Sequence, residues 1–178
     1  MAGLNFLKGY PSKIKRILTI AIFLFLCFLV TAIGVLSPLS REEADTLSKE
    51  IEELRQNVNV QLIFGNNFMI CLAMFVPIAG PVLGFYALYN TGVLIAADSI
   101  AHDVSPLVGF LSYLILPIIW LEFLAYSTAL AESVWLILRV VQRRIRREAV
   151  NACVLISICA IILLASAFIE MALIMLLK

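Results

Sequence analysis

The chain has 178 residues, 63% of them hydrophobic and 14% charged, with a formal net charge of +1. That length leaves no room for a second globular domain, and the near-neutral balance offers no electrostatic footing for nucleic acid. A mean hydropathy of +1.05 excludes an ordinary water-soluble fold.

Residues 17–36 are twenty consecutive positions without a charge. A helix rises about 1.5 Å per residue, so about twenty residues cross a hydrocarbon core of about 30 Å. Lys8, Lys13, Lys15 and Arg16 precede this run, as they would a signal peptide. The run has the length of a full crossing, however, and no small-residue cleavage pattern stands out after it. It reads as a retained first span.

The clearly water-soluble stretch follows, at residues 40–61. Ser40 with Glu43 three residues on has the form of a capping box. Leu47, Ile51, Leu54 and Val58 recur at spacings of four, three and four, which marks one face of an amphipathic helix over 41–60. Arg41, Glu42, Asp45, Lys49, Glu50, Glu52 and Glu53 fill the opposite face. Such a helix either lies over the protein's own membrane surface or docks another chain.

A second span is expected at 62–79, opening on Gly65-Asn66-Asn67 and ended by Pro77, Gly80 and Pro81. A third follows at 82–99, where Gly80 and Gly84 form a GxxxG pair. Residues 106–139 are too many for one straight crossing and too few for two, and Pro117 divides them. They read as a half-helix at 107–116 that dips in and returns, followed by a fourth span at 118–138. A single kinked, strongly tilted helix is the competing picture. A last span at 150–177 is interrupted only by Glu170. The expected fold is all-α. It is one membrane domain over 1–178, a polytopic transmembrane helix bundle of about five spans with a proline-broken re-entrant half-helix and one extracytoplasmic amphipathic helix.

Basic residues in short loops set orientation. Lys8, Lys13, Lys15 and Arg16 lie before the first span, and Arg139, Arg143, Arg144, Arg146 and Arg147 lie between the last two. Five crossings put both clusters on one face, which makes the N-terminus cytoplasmic and the acid-rich 41–60 helix external in a multi-pass cell-membrane protein. Arg143, Arg144, Arg146 and Arg147 are topology signals that also attract anionic headgroups, and they are candidate contacts for lipid or a partner.

Polar groups inside the spans are the candidates for function, because a charge at mid-bilayer costs about 2.5–3.5 kcal/mol and therefore faces the bundle interior. Glu122, Tyr126, Ala129 and Ser133 share a helical face. Tyr126 or Ser133 can donate to Glu122, or the carboxyl is protonated. Asn66, Asn67 and Asn90 are expected to complete a polar centre with Glu122, and Gly92, beside Tyr89 and Asn90, permits close backbone approach. Glu132 is expected to pair with Arg139 or to meet headgroups, and Glu170 to reach water. His102 with Asp98 and Asp103 reads as a solvated helix end and not as a metal site. Cys27, Cys71, Cys153 and Cys159 lie in apolar runs without metal-ligand spacing and read as small core or lipid-facing residues. No serine nucleophile elbow, HExxH or phosphate loop is present, so no catalytic residue, metal or cofactor is assigned.

From Phe64 onward the chain resembles the SpoIIM-like family of stage II sporulation membrane proteins. The resemblance rests on Ile63-Phe64-Gly65-Asn66-Asn67, the Gly/Pro-rich bend, Tyr89-Asn90-Thr91-Gly92, and Leu116-Pro117 followed by Glu122 before a basic loop and a last span. It covers residues 60–175. Ile118-Ile119 stand where the family pattern has His-Gly, which removes an acid–base partner for Glu122. The resemblance implies a membrane scaffold, as the founding member holds peptidoglycan-degrading enzymes at the membrane. It points to Asn66, Asn67, Tyr89, Asn90, Gly92, Pro117 and Glu122. The expected function is therefore a non-enzymatic scaffold or complex subunit whose partners are lipids, other membrane or envelope proteins and, as one option, further copies of itself. The alternatives are a small-solute or ion transporter using Glu122 beside the broken helix and, more weakly, an intramembrane enzyme.

Overall fold

The computed structural model describes residues 12–56, 58–142 and 145–176. Among them are seven helices and no strand: α1 Ser12–Val35, α2 Arg41–Gln56, α3 Val60–Met74, α4 Ala79–Ala101, α5 Pro106–Ile115, α6 Pro117–Val141 and α7 Ile145–Leu176. Four helical stretches are long and apolar enough to cross a membrane: Lys13–Val35, Ala79–Ala101, Pro117–Val141 and Ala149–Leu176. α3 and α5 are apolar but shorter, with 15 and 10 residues.

α6 is the axis of the bundle. Every residue from 125 to 133 is buried. Ala125, Ser127, Thr128, Ala129, Ala131 and Ser133 keep this stretch thin, so α1, α3, α4 and α7 all reach it. Around it Cys27, Met74, Leu88, Phe123, Leu130, Cys159 and Leu163 form the fully covered core. Phe28 packs on both Phe123 and Trp120, with ring centroids 4.8 and 4.9 Å away.

The breaks differ in place from the sequence expectation, for local reasons. The expected 62–79 span ends at Met74, and residues 75–78 turn. Ile78 carries the turn with φ of 69°, an uncommon conformation for a β-branched residue. Gly80 and Pro81 do not break anything: they lie in the first turn of α4, where a missing N–H is one of the helix's unpaired donors anyway. Gly80 is needed there because a Cβ would overlap the Met74 carbonyl. Pro117 divides α5 from α6 as expected. Leu116 before it takes ψ of 134°, since a proline pushes its predecessor out of the helical region. α5 lies against α4 and α1, where Phe110 packs on Val35 and Ile95.

The 139–147 loop is shorter than expected. α6 runs to Val141 and carries Arg139, and α7 starts at Ile145, so Arg146 and Arg147 belong to its first turn. Arg143 and Arg144 lie outside the described residues.

α2 sits on α4 in a different rotation from the one its apolar spacing implies. Ala44 and Ser48 are its buried residues, Leu47 and Ile51 are half-buried, and Leu54 is 68% exposed. The helix ends at Gln56, so Val58 follows it as a half-buried residue in the connection. One local contact fixes the start of the helix and a second ties it to the end of α4. Ser40 donates from its hydroxyl and its N–H to Glu43 at 2.7 and 2.9 Å, closing the capping box. Arg41 reaches Asp103 at 2.6 Å and the Ala101 carbonyl at 3.3 Å. Small residues then face α4, and the larger ones flank the contact.

Candidate functional site

Where α3 meets α6, the Asn67 amide donates to the Glu122 carboxylate at 2.6 Å. Both residues are partly buried. Glu170 on α7 is close enough for its charge to act on Glu122 and on the buried Tyr126 one turn further along α6. Below this pair, the Ala125 carbonyl accepts from two thiols: Cys71 of α3 at 3.9 Å and Cys159 of α7 at 3.6 Å. One backbone oxygen of α6 is thus shared by weak thiol contacts from both neighbouring helices.

The expected centre of Glu122 with three asparagines is therefore assembled only in part. Asn67 joins Glu122, while Asn66, one residue earlier, points out of the bundle and is exposed. Asn90 is half-buried on α4. Neither Asn66 nor Asn90 hydrogen-bonds to Glu122 among the described residues. Consecutive residues on a helix lie about 100° apart, so α3 cannot aim both Asn66 and Asn67 at α6. Tyr89 bonds elsewhere: its hydroxyl meets Ser37 Oγ at 2.8 Å, just past the C-terminal end of α1. Gly92 does make a close approach, to Thr31, Gly34 and Val35 of α1. Pro117 opens α6, five residues before Glu122.

Ser133, expected near Glu122, donates instead to the Val76 carbonyl at 2.9 Å and pins the α3–α4 turn to α6. Glu132 is also placed differently from the expectation. It is 2% exposed and pairs with Arg16 of α1 at 2.8 Å, not with Arg139. The Trp135 ring lies beneath both cations, with Arg16 at 5.2 Å and Arg139 at 5.7 Å from its centroid. Glu132 Oε1 and Trp135 Nε1 are buried without a hydrogen-bond partner among the described residues. Sequence order hid this cluster, because Arg16 and Glu132 are 116 residues apart. The available signal was that both flank apolar runs at what the basic-residue count makes the same end.

At the other end, His102 Nδ1 lies 2.8 Å from the Asp98 carbonyl and 3.7 Å from its carboxylate. Among the described residues no group of three His, Cys, Asp or Glu side chains is arranged to hold a metal ion. An open groove of about 420 Å³ lies between the start of α3 and the end of α7. Its lining is mostly apolar, with Phe64, Leu164, Phe168, Met171 and Met175, and with Asn59 and Gln61 at the start of α3. Glu122 is not among its lining residues.

Chemically, the Asn67–Glu122 pair is a carboxamide holding a carboxyl. The Tyr126 side chain, one turn further along α6, is buried. No family model, curated protein or solved structure matches this chain. The fold itself defines the class: an all-helical protein with four helices suited to cross a membrane.

Proposed function

We propose that this chain is a non-enzymatic membrane scaffold or complex subunit, similar in role to the SpoIIM-like proteins it resembles. The observation that carries this reading is the Asn67–Glu122 hydrogen bond at 2.6 Å, set apart from the groove between α3 and α7. A carboxyl held in this way is a tie between helices, whereas a transport site needs its carboxyl open to a path. With α3 counted as a short fifth crossing, Arg16 and Arg139 share one end of the bundle, while Arg41 and Asp103 meet at the other. The basic end is then cytoplasmic and α2 external. From there α2 offers its acidic face and the exposed Leu54 to a partner.

Gentle-detergent purification of the full chain from its native membrane tests this. Stable co-purifying proteins, lost when α2 is altered by Leu54→Glu, are the expected result. A chain recovered alone in every mild detergent refutes the scaffold. The transporter reading draws on Glu170 beside Glu122 and on the break at Leu116. It predicts flux in proteoliposomes that disappears in Glu122→Gln, and the scaffold reading predicts no flux in either form.

A further inference from the structure

The face that α3 turns away from the bundle is a clean helical stripe. Leu62, Asn66, Met69 and Leu72 are all exposed, at spacings of four, three and three. Three of them suit lipid, and Asn66 does not. It lies six residues past Val60, about 9 Å along the helix at 1.5 Å per residue. A side-chain amide at that depth has two donors and one acceptor, and acyl chains satisfy none of them. Its neighbour Asn67 is already committed to Glu122. Gly65, beside it, has open space where a Cβ would stand, so nothing among the described residues fills the flank of the stripe. α3 has only 15 residues, and a helix shorter than the bilayer is one whose mismatch association with another helix relieves.

From this we infer that the Leu62–Asn66–Met69 face is a self-association surface at which two copies of this chain pack α3 against α3 and pair their Asn66 amides. The chemistry favours a second copy over another partner. A carboxamide carries a donor and an acceptor side by side and is its own complement across a two-fold axis. The rest of the stripe is uncharged and has no group that would need a different residue opposite it. The small Gly65 beside the amide lets the two backbones approach, which is how membrane helices associate when apolar burial gives no advantage over lipid. The inference rests on the proposal that α3 is embedded in the membrane, and the experiment separates the two.

The full chain carrying Cys153→Ser, to remove the exposed native thiol, is given a cysteine at Leu62 or Met69. In native vesicles it is treated with copper-phenanthroline. A covalent dimer is expected at both positions, and none at a control cysteine replacing Ile161 on the exposed face of α7. Adding Asn66→Leu should cut the cross-linked yield. In fluorescence dilution in liposomes it should also raise the dimer dissociation constant about ten-fold or more, since two amide bonds are lost, and Asn66→Gln should restore most of the association. A wild-type chain that stays monomeric at all protein-to-lipid ratios overturns the inference, and so does a dimer indifferent to Asn66→Leu. Cross-linking at position 62 or 69 to a different protein overturns it too, and leaves the scaffold reading intact. A membrane-impermeant maleimide that labels the cysteine at position 69 as fast as a water-exposed control overturns it as well, and takes with it the placement of α3 in the membrane.

Discussion

Replacing Gly92 with alanine inserts one methyl group into the crossing of α1 and α4. A Cβ built on Gly92 overlaps the Thr31 carbonyl oxygen and falls 2.8 Å from the Val35 nitrogen and 2.9 Å from the Gly34 Cα. All three obstacles are backbone, so no side chain can swing aside. Ordinary contact begins at about 3.5 Å, so the helices must part by more than about 1 Å to clear the Thr31 carbonyl oxygen. That displacement disturbs the adjoining Val35, Ile95 and Phe110 contacts. Overpacking of this kind costs about 1–3 kcal/mol, and rigid obstacles place it at the upper end. Alanine's helix propensity returns up to about 1 kcal/mol, which leaves a net loss of about 2 kcal/mol. Gly65→Ala is the matched control: the same methyl on another helix meets nothing within 4 Å among the described residues, so in a chain diluted to the monomer in micelles only the propensity gain remains. Unfolding of the two variants in mixed micelles, followed by circular dichroism against SDS fraction, should therefore show shifts of opposite sign, about 2–3 kcal/mol apart. A Gly92→Ala protein as stable as the wild type, or a pair shifting together, refutes the close-crossing argument.

Three further outcomes follow from the same contacts. Glu132→Ala leaves the Arg16 guanidinium without its carboxylate. Breaking a buried pair costs about 3–5 kcal/mol, and because Arg16 is a quarter exposed the same unfolding assay should give the lower end, about 3 kcal/mol. Asn67→Leu removes the donor to Glu122 and should destabilise the fold by about 1–2 kcal/mol in that assay, while Glu122→Gln should fall well below this, because an amide still accepts the bond. Acid should release α2. The Arg41 guanidinium holds the Asp103 carboxyl below its ordinary range, and two hydrogen bonds from Ser40 do the same for Glu43. Lowered carboxyl values stabilise the docked state fully above the ordinary carboxylate range of about pH 4, and this is lost as pH falls through the lowered values. The hydrogen-exchange protection factor over residues 41–56, corrected for the intrinsic pH dependence of amide exchange, should therefore fall below about pH 4 and stay flat between pH 5 and 8. Protection that is already lost near neutrality would disprove the linkage.

Much of the chain's architecture is written in local chemistry. Predominantly apolar runs as long as a bilayer is thick have one stable form in lipid, a helix that satisfies its own backbone, and this made α1, α4, α6 and α7 readable from residue order. Capping at Ser40–Glu43 and the break before Pro117 were readable for the same reason, since each depends on residues within one turn. Gly92 was recognisable as a point of close approach, but not its partner strip Thr31–Val35 on α1.

What residue order left open was rotation and partnership. Spacing put Leu47, Ile51, Leu54 and Val58 on one face of α2, yet Arg41 reaching Asp103 turned Ala44 and Ser48 inward instead. Three asparagines near a carboxylate looked interchangeable, and only the angle at which α3 meets α6 chose Asn67 and left Asn66 outside. Glu132 had a nearby arginine in sequence and took a distant one in space. By itself, then, the sequence determined that the chain is helical, that four of its stretches are long and apolar enough to cross a membrane, and roughly where those stretches lie. The tertiary structure alone decided which polar groups are tied and which are turned outward, because a polar side chain in an apolar bundle answers to whichever helix packs against it.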